Sequence, residues 1–242
     1  MLLLIDAGNT RIKWALADHD AGLGQWTGAG AVTHAQLNHL PASWRRHHVT
    51  RVIVSNVAGV KLRDQLQLML PTTDIVWFTA QQQRAGLRNG YREPGQLGAD
   101  RFAAAIGARA LAPDQALVVA TCGTATTVDA VSADGLFVGG MILPGLGLMA
   151  SSLAHNTAQL PHVAASDALS PVFADNTGDA IVSGCLSAQA GAIERACRLH
   201  QATLCILSGG AARFIAPAMT APHRMVDNIV LIGLHAAATT KG

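Results

Sequence analysis

The chain has 242 residues, a formal net charge of +2, half of its residues hydrophobic and only 13% charged. That length suits one large domain or two of roughly 100–150 residues each, with ample material for a core. No Lys/Arg run exceeds two residues and aromatics make up 4%, so neither a base-stacking nucleic-acid surface nor an anionic-membrane patch is expected.

Cys122, Cys185, Cys197 and Cys205 form no C-x-x-C pair and have no His cluster beside them; they read as buried, reduced thiols. The opening Met-Leu-Leu-Leu-Ile run is too short for a secretory core, lacks a cationic lead and is closed by Asp6. Residues 137–154 are apolar but interrupted by Pro144 and several glycines. They read as strand, loop and helix start rather than a membrane span. A soluble, cytoplasmic protein is expected.

In chain order, residues 1–5 form an apolar run that ends in Asp6-Ala7-Gly8-Asn9-Thr10. Residues 11–16 follow, with Ile12, Trp14 and Leu16 alternating with smaller or polar side chains. The pattern predicts strand, tight turn, strand. A third strand is expected around 24–32, helices over 36–46 and 61–70, and short strands at 52–54 and 75–78. An Ala-rich helix is predicted over 101–111, before Pro113. The plan then returns: a strand at 117–120, the turn Gly123-Thr124-Ala125-Thr126-Thr127, a strand at 128–131 and a third at 136–142. A long helix over 179–200, a buried strand at 204–207 and a closing helix over 228–239 complete the chain. Gly8 and Gly123 lie 115 residues apart, a period far too long for a solenoid, so this is one duplicated half. Hairpins followed by strand–helix alternation predict two mixed sheets with helices on their faces.

Three loops carry chemistry. In the first, Gly8 permits a left-handed turn and close approach of a phosphate, and Asn9 and Thr10 offer donors. Asp6 at the end of a buried strand suits Mg²⁺ held through water, and Lys13 on the following strand suits a polyphosphate. The second, around Gly123, adds three hydroxyl side chains. In the third, Ser208-Gly209-Gly210-Ala211, glycines let a flat adenine lie against the backbone. Each taken alone is also an ordinary turn.

The order of these loops resembles the phosphate and adenosine motifs of the actin/sugar-kinase/Hsp70 superfamily. Within it the chain is similar to the type III pantothenate kinases. The resemblance rests on Asp6-Ala7-Gly8-Asn9-Thr10 and on Tyr91-Arg92-Glu93-Pro94-Gly95-Gln96-Leu97-Gly98-Ala99-Asp100-Arg101. It continues through Gly123-Thr124-Ala125-Thr126-Thr127, Gly139-Gly140-Met141-Ile142-Leu143-Pro144-Gly145, Asn176-Thr177 with Ala180-Ile181 and Ser183-Gly184, and Ser208-Gly209-Gly210. It implies two duplicated ribonuclease H-like domains, 1–114 and 115–242, each a mixed five-stranded sheet flanked by helices, with an ATP cleft between them. The last helix is free to pack on the first domain.

The implied activity is ATP-dependent phosphorylation of pantothenate to 4'-phosphopantothenate, the first step of coenzyme A biosynthesis, by a homodimer. Asp100 is then the base toward the pantothenate hydroxyl. Asp6, Ala7, Gly8, Asn9, Thr10, Arg11, Ile12, Lys13 and Thr124 meet ATP, and Asp6 holds Mg²⁺. Tyr91, Gly98, Ala99, Asp100, Arg101 and Thr177 meet pantothenate, with Arg101 able to grip its carboxylate in a bidentate fork and Thr177 reaching in from a partner subunit. The family also implies a monovalent cation, K⁺ or NH₄⁺, associated with an Asp two residues before the second glycine. This sequence has Thr121 there, so no ligand for that ion is assigned. Two other readings stay open: another small-molecule kinase of the superfamily, and a nucleotide-binding regulator without turnover.

Overall fold

A computed structural model describes residues 1–163 and 171–240. Two compact units emerge, the first from Met1–Pro113, Gly135–Phe137 and the closing segment from Asn228, the second from Asp114–Asp134 and Val138–Asp227. In chain order the first holds β1 (Leu2–Ala7), β2 (Arg11–Ala17), β3 (Gly28–Thr33), α1 (Leu40–Trp44), β4 (Arg51–Asn56), α2 (Val60–Gln67) and β5 (Ile75–Phe78). Two short strands follow, β6 (Gln83–Arg84) and β7 (Leu87–Asn89), then α3 (Ala99–Leu111). Next come β8 (Leu117–Cys122), β9 (Ala125–Val131), β10 (Leu136–Pro144), α4 (Leu146–Asn156) and α5 (Thr177–His200). Finally β11 (Leu204–Ser208), α6 (Ala212–Ile215) and β12 (His223–Met225) lead to α7 (Ile229–Thr239), which returns to the first unit.

The first sheet has the order β3-β2-β1-β4-β5. β1 lies antiparallel to β2 and parallel to β4, and it is buried along almost its whole length, as its continuous apolar run requires. The second sheet has the order β12-β11-β8-β9-β10-β7-β6. Its first five strands repeat the first sheet's plan, third-second-first-fourth-fifth in chain order. The short β7 extends it by pairing in parallel with the opening residues of β10, and β6 pairs antiparallel with β7 at the edge.

Several expected elements differ at their ends. The helix predicted over 36–46 is a 3-10 turn, His34–His39, followed by the single turn of α1, whose start coincides with Pro41. The turn predicted over 123–127 is tighter, because Ala125, Thr126 and Thr127 already belong to β9. β6, β7 and β12 carry too few residues to show a period and were not foreseen.

One face of the first sheet is sealed by Leu3, Ile5, Ile12, Leu16, Trp44, Val52 and Val54. The opposite face of β1 and β4 is covered by α3 and α7. These two helices touch backbone to backbone: a Cβ on Gly233 would stand 1.7 Å from the Ala103 carbonyl oxygen, and one on Gly107 would stand 2.7 Å from that of Ile229. α3, which starts after Gly98, is therefore seated by glycines rather than by interlocking side chains. Among the described residues no helix is long and apolar enough to cross a membrane.

Candidate active site

Asp6 stands at the penultimate position of β1, opposite Lys13 in β2 and Ser55 in β4. Side chains alternate between the faces of a strand. Since Ile5, Ala7, Ile12 and Val54 point into the core on one side, Asp6, Lys13 and Ser55 share the other. Burial pushes the Asp6 carboxyl up to about 6; Lys13 opposes that shift and the Asp100 carboxylate reinforces it. Two carboxyls from β1 and α3 thus feel one another, and an arriving cation would favour the ionised form of Asp6.

The turn after β1 closes with the Gly8 N–H donating to the Arg11 carbonyl at 3.1 Å. Gly8 is not in the left-handed region, contrary to the expectation above. What favours glycine is proximity, since a Cβ would lie a tight 3.3 Å from that same carbonyl oxygen. Asn9, Thr10 and Arg11 are exposed at the tip, whereas Ala7 and Ile12 are buried and can offer only backbone groups. His34 donates through Nε2 to the Gly8 carbonyl at 2.9 Å and steadies the loop from β3's far end.

The loop that leads from β7 to α3 is built on Asn89, the last residue of β7 and almost wholly buried. Its side chain accepts from the Tyr91 N–H at 3.0 Å and donates to the Pro94 carbonyl at 3.1 Å. Gly90 follows because a Cβ there would meet the Phe137 carbonyl oxygen at 2.4 Å. The Tyr91 ring meets Phe137 edge-on at 5.7 Å, and its hydroxyl accepts from Arg101 at 2.8 Å. The Arg101 guanidinium lies 5.7 Å from the Tyr91 ring and 5.9 Å from that of Phe137, held where cation–π attraction adds to the hydrogen bond. Gly98 is the N-cap of α3, Ala99 and Asp100 lie in its first turn, and Asp100 Oδ1 accepts from the Arg101 N–H at 2.9 Å. A Cβ on Gly98 would be 2.7 Å from Asp100 Oδ1, so glycine leaves the carboxylate its space.

In the second unit the turn Gly123–Thr124 is exposed, and the Thr124 carbonyl accepts from the Gly145 N–H at 2.9 Å. Gly145, the N-cap of α4, must be glycine: its Cβ would fall 2.1 Å from the Gly123 carbonyl oxygen. The preceding Pro144 carbonyl accepts from Gln189, buried in α5, at 2.7 Å. Gly209 has φ +95° and lies where a Cβ would meet the Cys122 carbonyl oxygen at 2.3 Å. This backbone crossing requires the glycine independently of any adenine. Burial drives the Cys122 thiol up to about 12, which removes it as a nucleophile. Asn176 caps α5, accepting from the Asp179 N–H at 3.0 Å, so Thr177 is not the cap residue. Thr177 instead occupies the first turn, on the wall of an apolar cavity of about 830 Å³ between α4 and α5.

The sequence pattern of the type III pantothenate kinases matches residues 2–199. The chain is 55% identical to the type III pantothenate kinase of Herminiimonas arsenicoxydans, with 98% of this chain and 97% of that protein covered. It is 57% identical to that of Janthinobacterium sp. (strain Marseille), over 98% and 97% respectively. The chain belongs to the type III pantothenate kinase family. Among solved structures, the activator of the 2-hydroxyisocaproyl-CoA dehydratase from Clostridium difficile with bound ADPNP aligns with a TM-score of 0.57 at 13% identity, covering 98% of this chain and 92% of that one. At that identity it shows the fold alone, one of the actin/sugar-kinase type.

Of the residues the type III pantothenate kinase resemblance singles out, Asp6, Lys13 and Asp100 form one charged group in the first unit, and Tyr91 and Arg101 bond directly. Thr124 and Thr177 belong to the second unit. Asn89, Phe137, His34, Ser55 and Gln189 were not singled out from the sequence. Asn89-Gly90 carries a turn signal that could have pointed to the first of these; for the others no local pattern exists.

Proposed function

We propose that the protein transfers the γ-phosphoryl group of ATP to the primary hydroxyl of pantothenate, giving 4'-phosphopantothenate and ADP, the first step of coenzyme A biosynthesis. The observation that carries this reading is the Tyr91–Arg101 bond at 2.8 Å, one residue from Asp100 at the start of α3. It sets a fixed cation beside a candidate base, as an acceptor with a carboxylate at one end and a hydroxyl at the other needs. Arg101 holds the carboxylate and Tyr91 orients the guanidinium. Asp100 accepts the hydroxyl proton as the hydroxyl oxygen bonds to the γ-phosphorus and the bond to the β-phosphate oxygen breaks. In a loose transition state that proton leaves late, so an ordinary carboxylate suffices to orient the nucleophile.

The turn of Gly8, Asn9 and Thr10, with Lys13, takes the ATP phosphates, and Thr124 supplies a second contact. Asp6 fits Mg²⁺: it offers oxygen in a row that contains a lysine and, in Ser55, a hydroxyl with no partner among the described residues. Among the described residues no cluster of three or more His, Cys, Asp or Glu competes as a metal cage. Magnesium commonly binds one or two carboxylates plus the substrate's phosphates, offsetting their charge. For K⁺ or NH₄⁺, Thr121 presents a neutral hydroxyl flanked in register by Thr127 and Ser208, so any monovalent-ion stimulation rests on hydroxyl and carbonyl oxygens. The apolar cavity of α4 and α5, with Thr177 on its wall and Leu148 and Leu153 exposed beside it, supports a homodimer in which this face is covered by a second copy. A cytoplasmic location goes with this metabolic role.

The deciding experiment is ADP release with pantothenate, sugars and short acids, with and without potassium. Pantothenate-dependent release is expected, and activity on a sugar but not on pantothenate overturns the reading. Thr121 favours one other possibility, a nucleotide-binding regulator; nucleotide binding without ADP formation at high potassium and ammonium would select it.

A further inference from the structure

On the face of the first sheet that carries Asp6, one polar group stands alone. Ser55 is fully buried, and its Oγ has no hydrogen-bond partner among the described residues. Ser55 pairs with Asp6 in the parallel register of β4 and β1, strands that lie about 4.8 Å apart in any sheet. Both sit at the carboxyl ends of parallel strands, the edge where open α/β sheets take their ligands. A buried hydroxyl without a partner is destabilising, whereas alanine in the same space is not. Its partner is therefore expected to arrive with a ligand.

We infer that Ser55 is a positioning residue of the nucleotide site, its hydroxyl taking its partner from the hydrated magnesium–nucleotide complex that Asp6 holds. This rests on the reading of Asp6 given under the proposed function. The row Ser55–Asp6–Lys13 then divides the work: Lys13 supplies charge to the phosphates on one side, and Ser55 a neutral donor and acceptor on the other. The duplicated half repeats the arrangement as Ser208–Thr121–Thr127, again with serine on the fourth strand of the plan.

The test uses the whole protein with Ser55→Ala, and Ser55→Cys should the first fail to fold. Two quantities are read: the thermal midpoint without ligand, and the Mg²⁺ concentration that gives half of the stabilisation produced by ADP. Loss of an unsatisfied buried hydroxyl should raise the ligand-free midpoint by about 3 °C. The Mg²⁺ requirement should rise about threefold or more while the pantothenate KM stays at the parent value. A purely structural serine would lower the midpoint and leave the Mg²⁺ requirement alone; an unchanged requirement overturns the inference whatever the midpoint does. Asp6→Asn separates the two readings. If it leaves the Mg²⁺ requirement unchanged, the assignment of Asp6 fails. If it raises the requirement and the Ser55 variants do not, only the role of Ser55 fails.

Discussion

Asp100 and Arg101 are adjacent in sequence, yet they do different work. Asp100 lies in the first turn of α3 with one oxygen on the Arg101 N–H, while the Arg101 side chain turns back to Tyr91. Asp100→Asn keeps the shape and removes the proposed proton acceptor. Turnover should fall about a hundredfold or more, while the thermal stabilisation by Mg·ADP stays; unchanged turnover removes Asp100 from the mechanism. Arg101→Lys replaces a planar fork by a point charge and loses the bond to Tyr91. With a charge-assisted hydrogen bond worth about 1.5–3 kcal/mol, the pantothenate KM should rise about tenfold to a hundredfold at an unchanged ATP KM. An equal rise in both would assign Arg101 to the fold rather than to the acceptor.

Among the elements, α7 carries a buried group that responds to pH. His235 is fully buried, neither ring nitrogen has a partner among the described residues, and its nearest ring is Trp26 at 5.6 Å. Burial holds the imidazole below its ordinary value. The unfolded chain therefore binds a proton below pH about 6.5 that the folded chain refuses, and stability is lost as pH falls through that range. This contribution lowers the parent's urea midpoint between pH 7.5 and 5.0, against the opposing one of Asp6, whose raised carboxyl binds a proton in the folded chain over the same range. His235→Leu should flatten that drop and raise the midpoint at the acid end; parallel curves for the two proteins would exclude the histidine as its source. Because α7 lies directly on α3, loosening it also reaches Asp100 and Arg101.

At the scale of the whole molecule, two features stand out: a duplicated topology and an apolar face on α4 and α5 that is open among the described residues. The order third-second-first-fourth-fifth occurs in both sheets, which places Thr121 where the first half has Asp6. The cavity of α4 and α5 is walled by Leu148, Met149, Leu153 and Ile181, and Leu148 is half exposed. Leu148→Glu puts a charge on the face proposed to bury a second copy. Sedimentation should then show a dimer becoming a monomer, with the pantothenate KM raised through Thr177. A parent protein that sediments as a monomer at micromolar concentration would refute the homodimer.

Local patterns carried a large part of this. Alternating and continuous apolar runs foretold β1, β2, β4, β5, β8 and β11 within a few residues, because burial imposes a period on each strand. The spacing of Gly8 and Gly123 revealed the duplication, and the run from Tyr91 to Arg101 pointed to the family and so to the acceptor. What a linear string could not contain is which groups meet. Nothing near Ser55 in sequence says that it lies beside Asp6, 49 positions away, or that Phe137 backs Tyr91 and Arg101. Gly145, Gly209 and Gly233 all read as turn or helix glycines, whereas each is required by a backbone atom close by. Those proximities are set by sheet register and helix docking, which depend on the burial of the whole chain rather than on any one segment.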